Sequence, residues 1–364
     1  MSRPIWGLLP EEIETLMAEW GEPAYRARQV LRWAYKEGAT TFEQMTNLPA
    51  GLRAKLGEEI DLSLPTVVRW QSADDNLTRK ALLQLGDGET VEAVLMQYAA
   101  RPKSRARATV CVSTQVGCAM GCVFCATGQA GFVRNLATAD IVAQVVHFIR
   151  SEGRVTNIVF MGMGEPLANY SAMWKAVQII NHPQCIGLGA RNITISTVGL
   201  VPGIRRLARE PLQVNLAISL HAPTDGLRRQ LIPTAGQPIS ELIEAAKEFF
   251  AASGRRITFE YVLIDHVNDS PEQAALLADL VAGVPCHVNL IPVNPTPDSN
   301  IKRPARSRTL AFQRVLQERG VPCTVRVEKG VEIESACGQL RGIREGAGRH
   351  GHRRGELPLP VLAG

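Results

Sequence analysis

Three cysteines lie within eight residues, at Cys118, Cys122 and Cys125. Their CxxxCxxC spacing allows three thiolates to bind one metal centre. A four-iron cluster normally takes four protein thiolates, so three would leave one iron open to an exogenous ligand. Small neighbours such as Gly117 and Gly121 would let the loop wrap closely around a cluster. The triplet therefore predicts an iron–sulfur site with one open position.

The main alternative for this triplet is a structural zinc site. Such a site normally takes a fourth ligand from a second short pair, such as CxxC or HxxxH, and the sequence contains none. The spacing favours iron and sulfur, while zinc and three unrelated buried thiols stay open. The other five cysteines are dispersed, at Cys111, Cys185, Cys286, Cys323 and Cys337. A lone cysteine is most often a small buried hydrophobe.

A second stretch with chemical potential is MGMGEPL at residues 161–167. Its glycines allow a ligand to approach the backbone, and the Glu165 carboxylate accepts hydrogen bonds from an ammonium group. An ordinary strand-to-helix turn is equally consistent with this pattern. Further polar groups stand near the ends of predicted strands, at Ser196, Ser219, His221 and Asn294.

The elements that must position these residues alternate between strand-like and helix-like from about residue 108 to 327. Strands are predicted at residues 108–115, 158–161, 192–197, 213–220, 258–264 and 288–293. The clearest later helices are at 242–250, 274–281 and 310–316. About six βα units are too few for a closed eight-unit barrel. We therefore predict an α/β fold, an open partial (β/α)6 barrel with its site at the carboxyl ends of the strands.

The first hundred residues have a different pattern. Helical periodicity covers residues 10–20 and 25–35, and residues 82–85 and 91–95 predict a short hairpin around Gly86-Asp87-Gly88. We predict an accessory domain at 1–100, the barrel at 101–330 and a separate loop at 331–343. Residues 344–364 are rich in Gly, Arg, His and Pro without an apolar period, which predicts a disordered basic tail.

Composition sets broader limits. The chain has 364 residues, 45% of them hydrophobic, and a formal charge of +5. It shows no export signal and no run of eighteen apolar residues, so we expect a soluble cytoplasmic protein with reduced thiols and no membrane partner. Basic residues cluster at 101–107 and in the tail. Such clusters suit phosphate backbones, although composition alone favours a solvated basic face.

A cysteine triplet directly after the first barrel strand resembles the signature of the radical S-adenosylmethionine superfamily. A finer similarity covers most of the barrel, in residues 109–118, 131–135, 217–223, 289–295 and 336–340. These five stretches, in this order, resemble the adenine-methylating RlmN/Cfr subgroup. The resemblance implies one [4Fe-4S] cluster on Cys118, Cys122 and Cys125, and S-adenosyl-L-methionine as second cofactor. It implies that the residues contacting this cofactor are Gly164, Glu165, Ser196, Ser219, Leu220, His221 and Asn294.

The same resemblance assigns three catalytic roles. Cys337 matches the cysteine that carries the methyl group, and Cys111 matches the one that resolves the intermediate through a transient disulfide. Alternation along the strand places Cys111 and Ser113 on one face, so Cys111 is expected to point toward the site. Glu92 matches a proton acceptor, although the alternation of residues 91–95 alone predicts a solvent-facing side chain.

The resemblance further implies formation of 2-methyladenosine in 23S ribosomal RNA and in the anticodon loop of transfer RNAs. A relative that methylates carbon 8 would use the same cysteines and is the alternative. A non-catalytic RNA-binding protein with structural zinc is the hypothesis from another class. An electron donor such as flavodoxin or ferredoxin is expected as a partner, and the chain is expected to be a monomer.

Overall fold

The structure, a computed structural model, describes residues 2–100, 105–294, 300–326, 330, 333–335 and 338–340. The predicted tail at 344–364 and Cys337 lie outside the described residues. In the described part the strands are β1 (Arg3–Pro4), β2 (Ile60–Asp61), β3 (Thr66–Ser72), β4 (Thr78–Gln84), β5 (Thr90–Tyr98), β6 (Arg107–Cys111), β7 (Gln115–Gly117), β8 (Phe132–Asn135), β9 (Asn157–Phe160), β10 (Ile193–Thr197), β11 (Asn215–Ser219), β12 (Ile257–Leu263), β13 (Cys286–Pro292) and β14 (Cys323–Val325).

The α-helices in the same residues are α1 (Pro10–Glu19), α2 (Tyr25–Tyr35), α3 (Ala50–Glu59), α4 (Ala126–Gln129), α5 (Thr138–Glu152), α6 (Tyr170–Asn181), α7 (Val201–Leu207), α8 (Asp225–Leu231), α9 (Ile239–Ser253), α10 (Pro271–Leu280) and α11 (Arg306–Glu318). No helix in this part of the chain is long and apolar enough to cross a bilayer.

The main sheet has ten strands in the order β14-β13-β12-β11-β10-β9-β6-β5-β4-β3. From β6 to β14 all neighbours are parallel, and an α-helical connection separates consecutive parallel strands. This is the predicted partial α/β barrel of six βα units, followed by one short additional strand. Its strands are runs of Ile, Val, Leu and Phe because parallel sheets are normally covered on both faces.

The hairpin of the first hundred residues is part of the same sheet. Strands β3, β4 and β5 pair antiparallel, and β5 pairs with β6 from Val94↔Cys111 to Tyr98↔Arg107. Helix α5 also covers this extension, because Trp70 packs against His147 and Phe148 of that helix. Strands from both sides of the predicted domain boundary at residue 100 therefore belong to one sheet. The division into domains stays a prediction.

The N-terminal helices pack beside the helices of the barrel. Trp6 is almost fully buried, and its indole N–H donates to the Ser63 carbonyl at 2.8 Å. Lys36 donates to the Ile186 carbonyl at 3.1 Å, and Arg150 of α5 donates to the Ala39 carbonyl at 2.8 Å. The last two contacts join the segment after α2 to α5 and to the loop after α6.

One predicted strand was too long. The alternating stretch 108–115 divides into β6, which ends at Cys111, and β7, which begins at Gln115. Between them the backbone of Ser113 exchanges hydrogen bonds with the Gln144 side chain at 2.8 and 3.0 Å. The chain leaves the sheet there because a helix side chain replaces the neighbouring strand as partner.

Candidate active site

A cavity of about 160 Å³ opens at the carboxyl ends of the parallel strands. It is lined by residues that end β10 and β11 or follow β9 and β13, including Gly162, Ser196, Ser219 and Asn294. The space is more than ten times what one water molecule needs by this measure. The topology thus brings together residues that lie more than 130 positions apart in the sequence.

The loop that carries the three cysteines is closed at its base by β7 and β8. The Cys118 backbone N–H donates to the Gly131 carbonyl at 2.9 Å, across the start of this hairpin. The loop also rests on α8, because the Val123 N–H donates to the Leu231 carbonyl at 3.1 Å. Thr234 Oγ1 donates to the Met120 carbonyl at 2.9 Å. The loop is therefore fixed by three hydrogen bonds, two between backbone groups and one from the Thr234 hydroxyl.

The thiols of Cys118, Cys122 and Cys125 all line this cavity. Burial raises the pKa of Cys118 to about 12, and burial also raises the pKa of Cys122. A cluster binds thiolates, so its assembly here would release protons. Three thiols around one open cavity are a donor set that suits an iron–sulfur cluster. In the described residues, no group of three His, Cys, Asp or Glu side chains is arranged to hold a single metal ion.

Glu165 is buried beside the cysteines and connects two strand ends. Its carboxylate accepts hydrogen bonds from the backbone N–H of Leu167 at 3.0 Å and of Val198 at 2.8 Å. Burial raises its pKa to about 7, an effect that these hydrogen bonds reduce. The Thr197 side chain also forms a hydrogen bond with this group, and a carboxylate has about four acceptor positions, so the group at the cavity wall can still accept a hydrogen bond from an ammonium.

The glycines of this motif are required by the protein itself. A Cβ on Gly162 would lie 2.7 Å from Ser113 Oγ, and a Cβ on Gly164 would lie 2.5 Å from Gln115 Cβ. Gly164 also has a φ of +99°. The sequence pattern is consistent with either ligand approach or a strand-to-helix turn at these glycines. They are also needed because the loop after β9 packs directly against the segment between β6 and β7.

His221 lies at the cavity wall in a left-handed backbone conformation, with a φ of +61°. Its Nδ1 accepts a hydrogen bond from the Val262 backbone N–H at 3.0 Å, and its ring contacts Phe124 edge to face at 4.8 Å. Burial, together with the nearby Arg228 charge, lowers its pKa to about 3. The ring is therefore neutral near pH 7 and carries its proton on Nε2.

The remaining predicted cofactor residues divide into two groups. Ser196, Ser219 and Asn294 line the same cavity as the cysteines. The Leu220 side chain lies in the hydrophobic core, while its backbone N–H donates to the Glu260 carbonyl at 3.0 Å. Any contact from Leu220 to a ligand would therefore come from its backbone.

Cys111, the last residue of β6, lines the cavity as well. Ser113, expected on the same face, is fully buried and belongs to a different set of contacts. Cys337 lies outside the described residues. The residues on both sides of it, Ser335 and Gly338, line the cavity. The Gly338 carbonyl accepts a hydrogen bond at 2.7 Å from Ala126, which directly follows Cys125.

The prediction that Glu92 faces solvent is wrong. Glu92 is 6% exposed, and its carboxylate forms an ion pair at 3.0 Å with Lys80, which is 4% exposed. The side chains of β5 are buried on both faces from Thr90 to Met96. Alternation of polar and apolar residues could not show this, because a buried lysine on the neighbouring strand provides the partner. Glu92 itself does not line the cavity, whereas Met96 on the same strand does.

Sequence reasoning missed two charged residues of the cavity wall, Glu260 and Arg326. Glu260 is 7% exposed and accepts a hydrogen bond from Asn289 Nδ2 at 2.8 Å. Burial raises its pKa, and the Arg326 charge and the Asn289 hydrogen bond oppose that effect. A glutamate in the middle of an otherwise apolar parallel strand was the available signal, since such strands rarely carry a charge without a use.

Comparison with known proteins defines the class of this site. Residues 112–278 match the radical SAM superfamily, and residues 5–62 match the ribosomal RNA large subunit methyltransferase N-terminal domain. The first match contains the cysteine loop and most of the strands around the cavity. Membership of that superfamily implies a four-iron cluster and S-adenosylmethionine.

The full-length relatives define the family more narrowly. A protein of Roseiflexus castenholzii named "Probable dual-specificity RNA methyltransferase RlmN" is 49% identical, over 93% of this chain and 96% of its own length. The "Ribosomal RNA large subunit methyltransferase N" of Nitrosopumilus maritimus is also 49% identical, over 93% of this chain and 98% of its own. A radical SAM methyltransferase of Sphaerobacter thermophilus has a solved structure with 50% identity and a TM-score of 0.88, covering 93% of this chain and 99% of that one. The chain belongs to the RlmN family of RNA methyltransferases.

Proposed function

We propose that this chain methylates carbon 2 of adenine in 23S ribosomal RNA and in the anticodon loop of transfer RNAs, through a methylated Cys337. The observation that carries the proposal is the shared cavity. Its wall contains Cys111, all three cysteines of the loop and the residues that flank Cys337. One relative is named a dual-specificity RNA methyltransferase and another a ribosomal RNA large subunit methyltransferase, and these names support an RNA substrate.

The proposal assigns a role to each group at the cavity. Cys118, Cys122 and Cys125 would hold the cluster, and the Glu165 carboxylate and the strand-end polar residues would hold S-adenosylmethionine. When bound, these cofactors supply a methyl group and a radical that abstracts a hydrogen atom. An aromatic ring carbon such as carbon 2 of adenine is a poor nucleophile, so direct transfer of a methyl cation is unfavourable. This is the reason for a route through a protein thiolate.

The chain's own residues would complete the transfer. Cys337 would carry the methyl carbon to the adenine. The family resemblance assigns acceptance of the carbon 2 proton to Glu92, which lies on the same strand as the cavity-lining Met96 but does not itself line the cavity. The Cys111 thiolate then attacks the Cys337 sulfur, so the Cys111–Cys337 disulfide forms as the bond from that sulfur to the transferred carbon breaks. The CH2 left on carbon 2 takes up a proton to become a methyl group, and the one unpaired electron of the adduct would return to the cluster that supplied it. Cys111 is suited to this role because it lies at the end of β6 and lines the cavity.

Cysteine replacements separate cluster binding from methyl transfer. We expect Cys118→Ala to lose the brown colour and most of about four irons per chain. Cys337→Ala should keep the colour and the iron but form no methylated nucleoside. Cys185→Ala is the matched control, because Cys185 is buried beneath the N-terminal helices and should leave both properties unchanged. Loss of iron in Cys337→Ala would contradict this division of roles.

The position of methylation is tested on the product. We expect nucleosides from RNA treated with the enzyme to contain 2-methyladenosine, detected by mass spectrometry against synthetic standards. Formation of 8-methyladenosine would overturn the assignment in favour of the carbon 8 alternative, which uses the same cysteines. Transfer RNA and ribosomal RNA fragments assayed separately would test the two substrates independently.

A further inference from the structure

A buried lysine on the accessory hairpin contacts both the proposed proton acceptor and the backbone that precedes the proposed methyl carrier. Lys80 lies on β4, and only 4% of its surface is exposed. Its Nζ lies 3.0 Å from Glu92 Oε1 on the neighbouring strand. The same nitrogen donates a hydrogen bond to the Glu334 carbonyl at 3.1 Å. A lysine is rarely buried unless its charge is paired, so this position needs an explanation.

The backbone that Lys80 contacts leads directly to Cys337. Glu334 precedes that cysteine by three residues and has a φ of +50°. The adjacent Ser335 donates through its N–H and its Oγ to the Gly330 carbonyl, both at 2.9 Å. A Cβ on Gly330 would lie 2.7 Å from Thr78 Cγ2, so this turn packs tightly against β4.

The segment after Cys337 is held by the cysteine loop. Ala126 donates to the Gly338 carbonyl at 2.7 Å, and Thr127 Oγ1 donates to the Leu340 carbonyl. The described residues before and after position 337 are therefore each held by hydrogen bonds. The hairpin holds the chain before it, and the cysteine loop holds the chain after it.

Glu92 is tied to the glycine-rich motif at the same time. Ser113 Oγ donates to the Glu92 carbonyl at 2.6 Å and accepts from the Met163 backbone N–H at 2.9 Å. Lys80 thus connects the strand that carries the proposed proton acceptor with the backbone that leads to the proposed methyl carrier. Nothing in the proposed chemistry requires Lys80 itself to contact substrate or cofactor.

We propose that Lys80 is a positioning residue, which holds the segment leading to Cys337 and the Glu92 carboxylate in one fixed arrangement through a single buried ammonium. The assignment of roles rests on the proposed function, whereas the contacts of Lys80 do not depend on it. The hairpin thereby becomes part of the catalytic unit. It was expected only as an accessory to the barrel.

The first test measures how firmly the Cys337 segment is held. The rate of Cys337 alkylation by iodoacetamide is followed by peptide mass spectrometry on the cluster-loaded full-length chain. Lys80→Met should raise this rate about fivefold or more, because the segment opens more often. Lys80→Arg should recover most of the protection, since a guanidinium can donate to both oxygens. Glu92→Gln leaves the hydrogen bond from Lys80 to the Glu334 carbonyl in place, so its alkylation rate at Cys337 should stay close to that of the unmodified chain.

Arg79→Met is the matched control. Arg79 is the neighbouring basic residue on β4, and it pairs with Glu152 of α5 on the other face of the strand. Its replacement should not change Cys337 alkylation. If Lys80→Met fails to fold, the double variant Lys80→Met/Glu92→Leu removes both buried charges and still lacks the Glu334 contact. It should show the same faster alkylation.

The second test is kinetic and separates positioning from general damage. Lys80→Met should lower kcat about tenfold or more through misplaced groups, while KM for RNA and the iron content stay near those of the unmodified chain. Alkylation and kcat both within twofold of the unmodified chain would overturn the proposal. If Cys337 of the unmodified chain never gains a methyl group, the proposed function fails, but the alkylation rates still decide whether Lys80 holds the segment.

Discussion

Burial is the property that most changes the chemistry of single residues in this site. Three titratable side chains lie at the cavity wall: His221, Glu165 and Glu260. Burial lowers the pKa of His221 and raises the pKa of both glutamates, so it favours the neutral form of each group. This shift reduces the cost of a desolvated charge at the wall before a charged ligand or cluster binds. The sequence named His221 and Glu165 correctly as residues near strand ends. It could not show their protonation, because that depends on neighbours contributed by distant strands.

The buried His221 gives a prediction for stability against pH. Its pKa is about 3 in the folded chain, against about 6.5 when exposed. The unfolded chain therefore binds the extra proton between these values, so stability is lost as pH falls below about 6.5. From about pH 7 to about pH 5.5 this one group should cost about 1.2 kcal/mol. Urea unfolding of cluster-free protein at both pH values measures it.

His221→Asn isolates this effect, because Asn tolerates the left-handed backbone at this position. The variant should lose about 1 kcal/mol less stability than the unmodified chain over the same pH interval. His266→Asn is the control, since His266 has a similar φ of +54° and an exposed ring. Equal pH dependence in His221→Asn and the unmodified chain would show that the ring is not buried in neutral form.

At the scale of elements, the sequence predicted which segments form the barrel more accurately than where they end. All six predicted barrel strands are present, because their apolar runs and turn residues are local signals. The stretch 108–115 was misjudged because Gln144 and Met163 take over the backbone hydrogen bonds after Cys111. Strand β3 was missed because most of its residues are exposed, so its apolar residues Val67, Val68 and Trp70 do not alternate regularly with polar ones.

The cysteine loop depends on one glycine at its base. Gly117 has a φ of +73°, and a Cβ there would lie 1.8 Å from the Gly131 carbonyl oxygen. That oxygen accepts the hydrogen bond from Cys118 N–H that closes the loop. We expect Gly117→Ala to break this closure and to reduce bound iron to below about half of the four expected. Iron and sulfide analysis after anaerobic reconstitution would measure the change.

Gly131→Ala provides the comparison for this loop. Gly131 also has a positive φ, of +78°, but a Cβ there would meet no atom within 4 Å. The Gly131→Ala variant should lose only about 1–2 kcal/mol through backbone strain and should keep nearly the full iron content. If Gly117→Ala and Gly131→Ala bind equal amounts of iron, the close approach at Gly117 does not control cluster loading.

At the scale of the molecule, the barrel and the hairpin share one sheet and one core. Val91, Ala93 and Leu95 of β5 are fully buried, and β5 pairs along the whole of β6. Without the hairpin, β6 would become an exposed edge strand with its apolar neighbours uncovered, which favours aggregation. The helices α1–α3 instead meet the barrel through its outer helices. The two parts of the first hundred residues therefore make unequal contributions to the fold.

Two truncations compare these contributions directly. A chain without residues 1–64 keeps all ten strands of the main sheet, whereas one without residues 1–105 loses β3, β4 and β5. We expect the first to remain folded and to bind iron with a lowered melting temperature, because the surface under Trp6 becomes exposed. The second should be insoluble, since the edge of β6 and the space left by Lys80 and Glu92 would open the cavity wall beside Cys111 to solvent. Soluble yield, circular dichroism and iron content measure both outcomes. A soluble, iron-binding chain that begins at residue 106 would show that the barrel closes its own edge and that the hairpin is dispensable for the fold.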